Sequence, residues 1–215
     1  MIQNLVFDLD GTLFDSLASI EESAHVAVRR VLPDMPPPDL KNLVGPPISI
    51  MFRKLWPDLP EEKMVALLAE FRDVYDSTGC LDAVPYPSVA ILLNQLHRQG
   101  LRLFVLTNKP EKPTLAILEH HGLINLFTEV CCPDSTVHFT HKRLGAQSLA
   151  ERHELLPETT ALIGDGSDDA ESAHLCGFRF FHAIYGYGRL HHAEGFTRLE
   201  NFASLQQILN PSLFR

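Results

Sequence analysis

Short, unbroken apolar runs recur along the chain, and between most of them apolar positions return every three or four residues. The runs at 5–7, 103–106, 130–132, 161–163 and 179–182 read as strands. Val89–Arg98, 114–121 and 169–176 read as helices, with Gly100, Gly122 and Gly177 as their stops. Continuous apolar strands that do not alternate with polar residues are those covered on both faces. Strands of that kind separated by helices predict an α/β fold, a three-layer Rossmann-like core around a parallel sheet.

One region breaks the alternation. From Ser16 to Ala83 the pattern is helical throughout: 16–31, with Asp15 or Ser16 as cap, then 48–56 and 61–77. The last of these repeats Met64, Leu67, Leu68, Phe71 and Val74 at helical spacing. The proline-rich segment 32–39 is a joint between helices. The expected organisation is a core made of 1–15 and 84–215, with an all-helical insert over 16–83.

Composition narrows the function. The chain has 215 residues and a formal net charge of −9, which disfavours a general nucleic-acid or acidic-membrane surface. No apolar run reaches the roughly 18 residues of a membrane span, and a cytoplasmic location is expected. The four cysteines (Cys80, Cys131, Cys132, Cys176) have neither CxxC nor metal spacing and are read as reduced, mostly buried thiols.

Chemistry concentrates where the strands end. In a parallel sheet the ligand site lies outside the carboxyl ends of the strands. The residues arriving there are Asp8 and Asp10, then Thr107, Asn108 and Lys109, then Asp165, Asp168 and Asp169. So many carboxylates repel one another unless a cation sits among them. Oxygen-only donors, few in number, favour Mg²⁺, which readily shares its shell with phosphoryl oxygens. The two-residue spacing lets Asp8 and Asp10 face the same way along an extended chain, and Gly11 permits a sharp exit.

"DLDGT" (8–12), "LTN" (106–108) and "GDGSDD" (164–169), in this order and separation, resemble the signature motifs of the haloacid dehalogenase-like hydrolases. The helical insert resembles that family's cap domain. "GPP" (45–47), "PYPSV" (85–89), "TNKP" (107–110) and "YGYG" (185–188) resemble its phosphoglycolate phosphatase-like branch. The resemblance implies a Mg²⁺-dependent phosphomonoester hydrolase acting on a small phosphorylated metabolite, with 2-phosphoglycolate favoured. Pyrophosphate and sugar or nucleotide phosphates are the alternatives.

The resemblance also implies roles. Asp8 would be the nucleophile that forms an aspartyl-phosphate, and Asp10 the general acid and base, with its carbonyl on the metal. Asp165 and Asp169 would serve the metal, and Thr107 and Asn108 would hold the phosphoryl oxygens. The second aspartate separates phosphatases from dehalogenating members, which lack it. A family lysine is expected ahead of the last motif. Lys142 is assigned to it, as a catalytic and phosphate-binding cation, with Arg143 and Lys109 as alternatives. Ser88 stands where the family has a glycine. A monomer or homodimer is expected.

Other residues have plainer readings. Asp168 reads as a helix cap or solvated carboxylate. The histidines His120-His121, His138, His141 and His191-His192 read as surface residues rather than zinc ligands. Arg53, Lys54 and Arg72 read as solvated, with contact to a substrate carboxylate as the alternative. Gly186 and Gly188 read as a turn rather than a phosphate cradle. A phospho-acceptor signalling domain remains a rival from another class, although such modules are roughly half this length and have no cap.

Overall fold

The computed structural model describes residues 1–41, 43, 45–135, 138–190 and 195–209. His191 and His192 lie outside the described residues.

Strand β1 (Asn4–Phe7) is buried over its whole length and occupies an interior position in a six-stranded sheet. Its companions are β4 (Arg102–Leu106), β5 (Glu129–Cys131), β6 (Thr160–Gly164), β7 (Arg179–Ala183) and β8 (Thr197–Leu199). The spatial order is β5-β4-β1-β6-β7-β8, and every pairing is parallel. The register decides where the site forms. Phe7 lies opposite Val105 on one side and Ile163 on the other, so β1, β4 and β6 end together.

Side chains alternate across the sheet although both faces are dry. Leu5, Phe7, Leu103, Val105, Ala161 and Ile163 join one apolar cluster, while Val6, Phe104, Leu106, Leu162 and Phe180 join the other. This is the period-two geometry of a strand covered on both sides. The covering helices of the core are α4 (Val89–Arg98), α5 (Glu111–His120), α6 (Lys142–His153), α7 (Ser167–Cys176) and α8 (Ser204–Leu209).

The helical insert contains α1 (Leu17–Val31), α2 (Ile48–Leu55), α3 (Glu61–Tyr75) and a 3₁₀ turn at Gly79–Asp82. Its interior is built from Ile20, Ala24, Met51, Phe52, Met64, Leu67 and Phe71. Phe52 meets the edge of Phe71 at 5.8 Å, and Phe71 stacks on Tyr75 at 5.2 Å. Each such buried aromatic or leucine contributes about 1.5–3 kcal/mol relative to exposure.

The structure adds to the pattern-based reading and shifts some of its bounds. A two-stranded ribbon, β2 (Phe14–Asp15) against β3 (Val84–Pro85), ties the entry of the insert to its exit. Two residues are too few to show alternation. β8 and α8 were not expected, because Thr197 and Arg198 are exposed and give no apolar run. Helix α5 starts at Glu111, three residues early, since Pro113 in a first turn forfeits no hydrogen bond. Ser88, which precedes α4, adopts a left-handed conformation at φ +73° and donates no side-chain cap bond.

That backbone carries strain that a glycine would not. Ser88→Gly is expected to stabilise the fold by about 0.5–1 kcal/mol, the left-handed penalty less the added chain entropy of glycine. A raised urea midpoint with an unchanged slope is the check.

Candidate active site

Three buried carboxylates meet beyond the ends of β1 and β6. Asp8 directly follows Phe7, and its amide donates to the Ile163 carbonyl at 2.9 Å. Asp165 follows Gly164, and Asp169 stands one helical turn on, in the first turn of α7. One oxygen from each lies within 4.8 Å of the others. Lys142, the first residue of α6, brings its ammonium into this group. It pairs with Asp8 Oδ1 and stands 2.6 Å from Asp169 Oδ1. Arg143 points elsewhere, exposed and 3.9 Å from Glu171.

Charge in this pocket is poorly solvated. Burial pushes the Asp8 carboxyl well above its usual range, against the pull of Lys142, and Asp169 and Asp165 raise it further. Burial and Asp169 push Asp165 up to about 7. Lys142 is raised as well: burial opposes its charge, but Asp169 and Asp8 outweigh that cost. Three carboxylates against one ammonium leave two negative charges when all are ionised. Asp169 Oδ1 is buried and accepts no well-aligned hydrogen bond. A hard divalent cation fits this donor set, which is all oxygen, buried and short of positive charge.

A loop after β7 orients Asp165. The amides of Tyr187 and Gly188 donate to its Oδ2 at 3.0 and 2.7 Å. No side chain fits at either glycine. A Cβ on Gly186 would lie 2.2 Å from the Gly11 carbonyl oxygen, and one on Gly188 would lie 2.7 Å from Asp165 Oδ1. The "YGYG" segment is therefore a turn, as expected, but one whose amides grip a carboxylate.

Asp10 stands apart from the three. Its carboxylate is not among the oxygens that meet there. Ser16 donates to Asp10 Oδ1 at 2.5 Å, and Ser16 Oγ also meets the Tyr187 hydroxyl at 2.8 Å. Ser16 thus precedes α1, as expected, but spends its hydroxyl on Asp10 and not on the helix. On the other side, the Lys109 ammonium lies 2.9 Å from Asp10 Oδ2.

A cavity of about 630 Å³ opens over these groups. Asp8, Asp10, Thr107, Asn108, Lys142 and Asp165 line its core side, and Ile48, Met51, Phe71 and Tyr75 line the insert side. Thr107 is buried and its Oγ1 accepts from the Lys109 amide at 3.1 Å. Asn108 Nδ2 donates to Asp168 Oδ2 at 2.9 Å, so Asp168 is exposed but not idle. Lys54 and Arg72 reach the cavity wall, whereas Arg53 is taken by Glu61 at 2.9 Å on the surface.

His121 is half-buried against the Ala83 carbonyl at 3.0 Å, while His120, His138 and His141 are exposed. Cys80, Cys131 and Cys132 are buried, Cys176 is half-buried, and all four are free. The partners of Asp10 are what sequence reading missed. The sequence placed Lys109 at a strand end and as an alternative to Lys142 but gave it no partner, and nothing marked Tyr75.

Comparison with known proteins places this arrangement. A phosphoglycolate phosphatase of Vibrio vulnificus is 30% identical over 220 residues, covering 97% of this chain and 95% of that protein. The tyrosine-protein kinase PtkA of Mycobacterium bovis is 33% identical over 190 residues, covering 87% of this chain and 64% of that protein. The crystal structure of a predicted phosphoglycolate phosphatase from Haemophilus somnus superposes with a TM-score of 0.85. It is 26% identical and covers 97% of this chain and 98% of its own. The family model for haloacid dehalogenase-like hydrolases matches residues 5–183, a span that holds every carboxylate described above, and the chain belongs to that family.

Proposed function

We propose that the protein is a Mg²⁺-dependent phosphomonoester hydrolase that works through an aspartyl-phosphate on Asp8. The observation that carries this reading is the buried group of Asp8, Asp165, Asp169 and Lys142 at the floor of a cavity. Asp8, Asp165 and Asp169, with the Asp10 carbonyl, would hold the ion. When bound, Mg²⁺ offsets the charge of the phosphoryl oxygens. Lys142 supplies the remaining positive charge, and Thr107 and Asn108 bind phosphoryl oxygens from the β4 end. For the loose transition state of phosphoryl transfer, positioning and neutralisation of this kind do most of the work.

The chain's own residues account for both halves of the reaction. An Asp8 oxygen attacks phosphorus, and the ester P–O bond breaks with its electron pair left on the departing oxygen. That oxygen takes a proton from Asp10. A water then attacks the phosphorus, gives its proton to Asp10, and releases Asp8 with the P–Oδ bond's electrons.

The substrate is a small phosphorylated metabolite. 2-Phosphoglycolate is favoured by the relatives' names and by Lys54 and Arg72, which offer partners to a second anionic group. Pyrophosphate and sugar or nucleotide phosphates compete. Among the described residues no helix is long and apolar enough to cross a membrane. A cytoplasmic enzyme, monomeric or homodimeric, is the matching picture.

Phosphate release from a panel of monoesters is expected to require Mg²⁺ and to vanish in Asp8→Asn. Asp10→Asn is expected to slow alkyl esters by roughly 10²–10⁴-fold. Full activity of Asp8→Asn would overturn the reading.

The metal-free protein gives a second check. A carboxyl raised in the folded state binds more protons there than when unfolded, so its contribution to stability falls as pH rises. For Asp165 the window runs from its ordinary value near 3.8 up to about 7. Stability of the metal-free chain is expected to decline through that range. Added Mg²⁺ is expected to raise the melting temperature more at pH 7 than at pH 5, as thermal scans will read.

A further inference from the structure

Lys109 is a buried cation with two partners from different parts of the fold. It follows β4 in the core, is 7% exposed, and sits 2.9 Å from Asp10 Oδ2. It also donates to the Tyr75 hydroxyl at 2.7 Å, and its ammonium lies 4.6 Å from the centre of the Tyr75 ring. Tyr75 is the last residue of α3, in the helical insert. Hydroxyl and ring face together fix the ammonium, which a flexible lysine stem alone would not do. A buried ammonium without partners would be expensive, so the three groups hold one another in place.

Asp10 is therefore aimed by contacts that depend on the insert. Ser16, at the start of α1, holds Oδ1, and Tyr75, at the end of α3, places the lysine that holds Oδ2. We propose that Lys109, set by Tyr75, is a positioning residue for Asp10, so that proton transfer to the leaving oxygen depends on how α3 seats against the core. This rests on the role given to Asp10 above. When the ester bond breaks and its electron pair stays on the departing oxygen, that oxygen takes the Asp10 proton. The carboxylate left behind then lies beside the ammonium, 2.9 Å away in the structure.

A positioning role has a signature that a purely structural role lacks. An alkyl phosphate needs its leaving oxygen protonated, whereas p-nitrophenyl phosphate releases a stable phenolate and needs little help. In Lys109→Met, kcat on the alkyl ester is expected to fall roughly a hundredfold, within the range of general acid catalysis, and the aryl-to-alkyl ratio to rise at least tenfold. Tyr75→Phe keeps the ring and loses one hydrogen bond. It is expected to show the same selectivity at roughly fivefold.

Equal losses on both esters, or a change confined to KM, would overturn the proposal. Circular dichroism reports whether Lys109→Met folds; if it does not, Tyr75→Phe decides. An active parent chain, inactive as Asp8→Asn, with unselective Lys109 and Tyr75 variants overturns this inference alone. A parent chain without Mg²⁺-dependent phosphatase activity overturns the underlying reading with it.

Discussion

The structure depends on one ammonium buried among carboxylates. Lys142 pairs with Asp8 and Asp169 where the ends of β1 and β6 and the starts of α6 and α7 converge. Removing a single partner from such a group leaves an uncompensated charge, which typically costs about 3–5 kcal/mol. The placement of these elements is therefore tied to the charge balance, and packing alone does not decide it. Two apolar layers press the helices onto the sheet, and the sheet register brings β1, β4 and β6 to a common finish.

This arrangement divides labour between the two neighbouring aspartates. Asp8 faces the cation-poor group and lies beside Asp165 and Asp169. Asp10, two residues on, faces Ser16 and Lys109 instead. The same side-chain chemistry thus occupies two electrostatic settings within three residues of chain. In the proposed mechanism the first setting belongs to the nucleophile and the second to the proton carrier.

Much of this was legible in the sequence, for physical reasons that also explain the gaps. Strands covered on both faces must be apolar throughout, so β1, β4 and β6 announced themselves. Their ends had to carry the polar residues, which brought Asp8, Asp10, Thr107 and Asp165 into view. Asp169 followed because α7 returns it after one turn. Lys142 could be selected because the family resemblance calls for a lysine ahead of the last motif and Lys142 opens a helix there. Edge strand β8 and ribbon β2–β3 left no pattern, since half-exposed or two-residue strands bury too little to constrain composition. The Lys109–Tyr75 contact joins residues 34 positions apart, across the seam between two layers. No local spacing encodes such a meeting.

The loop at 185–188 carries a consequence for how the protein is made. Its amides close on Asp165 from 22 and 23 residues downstream, after β7 has joined the sheet. A nascent chain halted before Tyr187 would hold Asp165 without the two amides that aim it. Orientation of that carboxylate thus waits on residues made well after the strand that carries it.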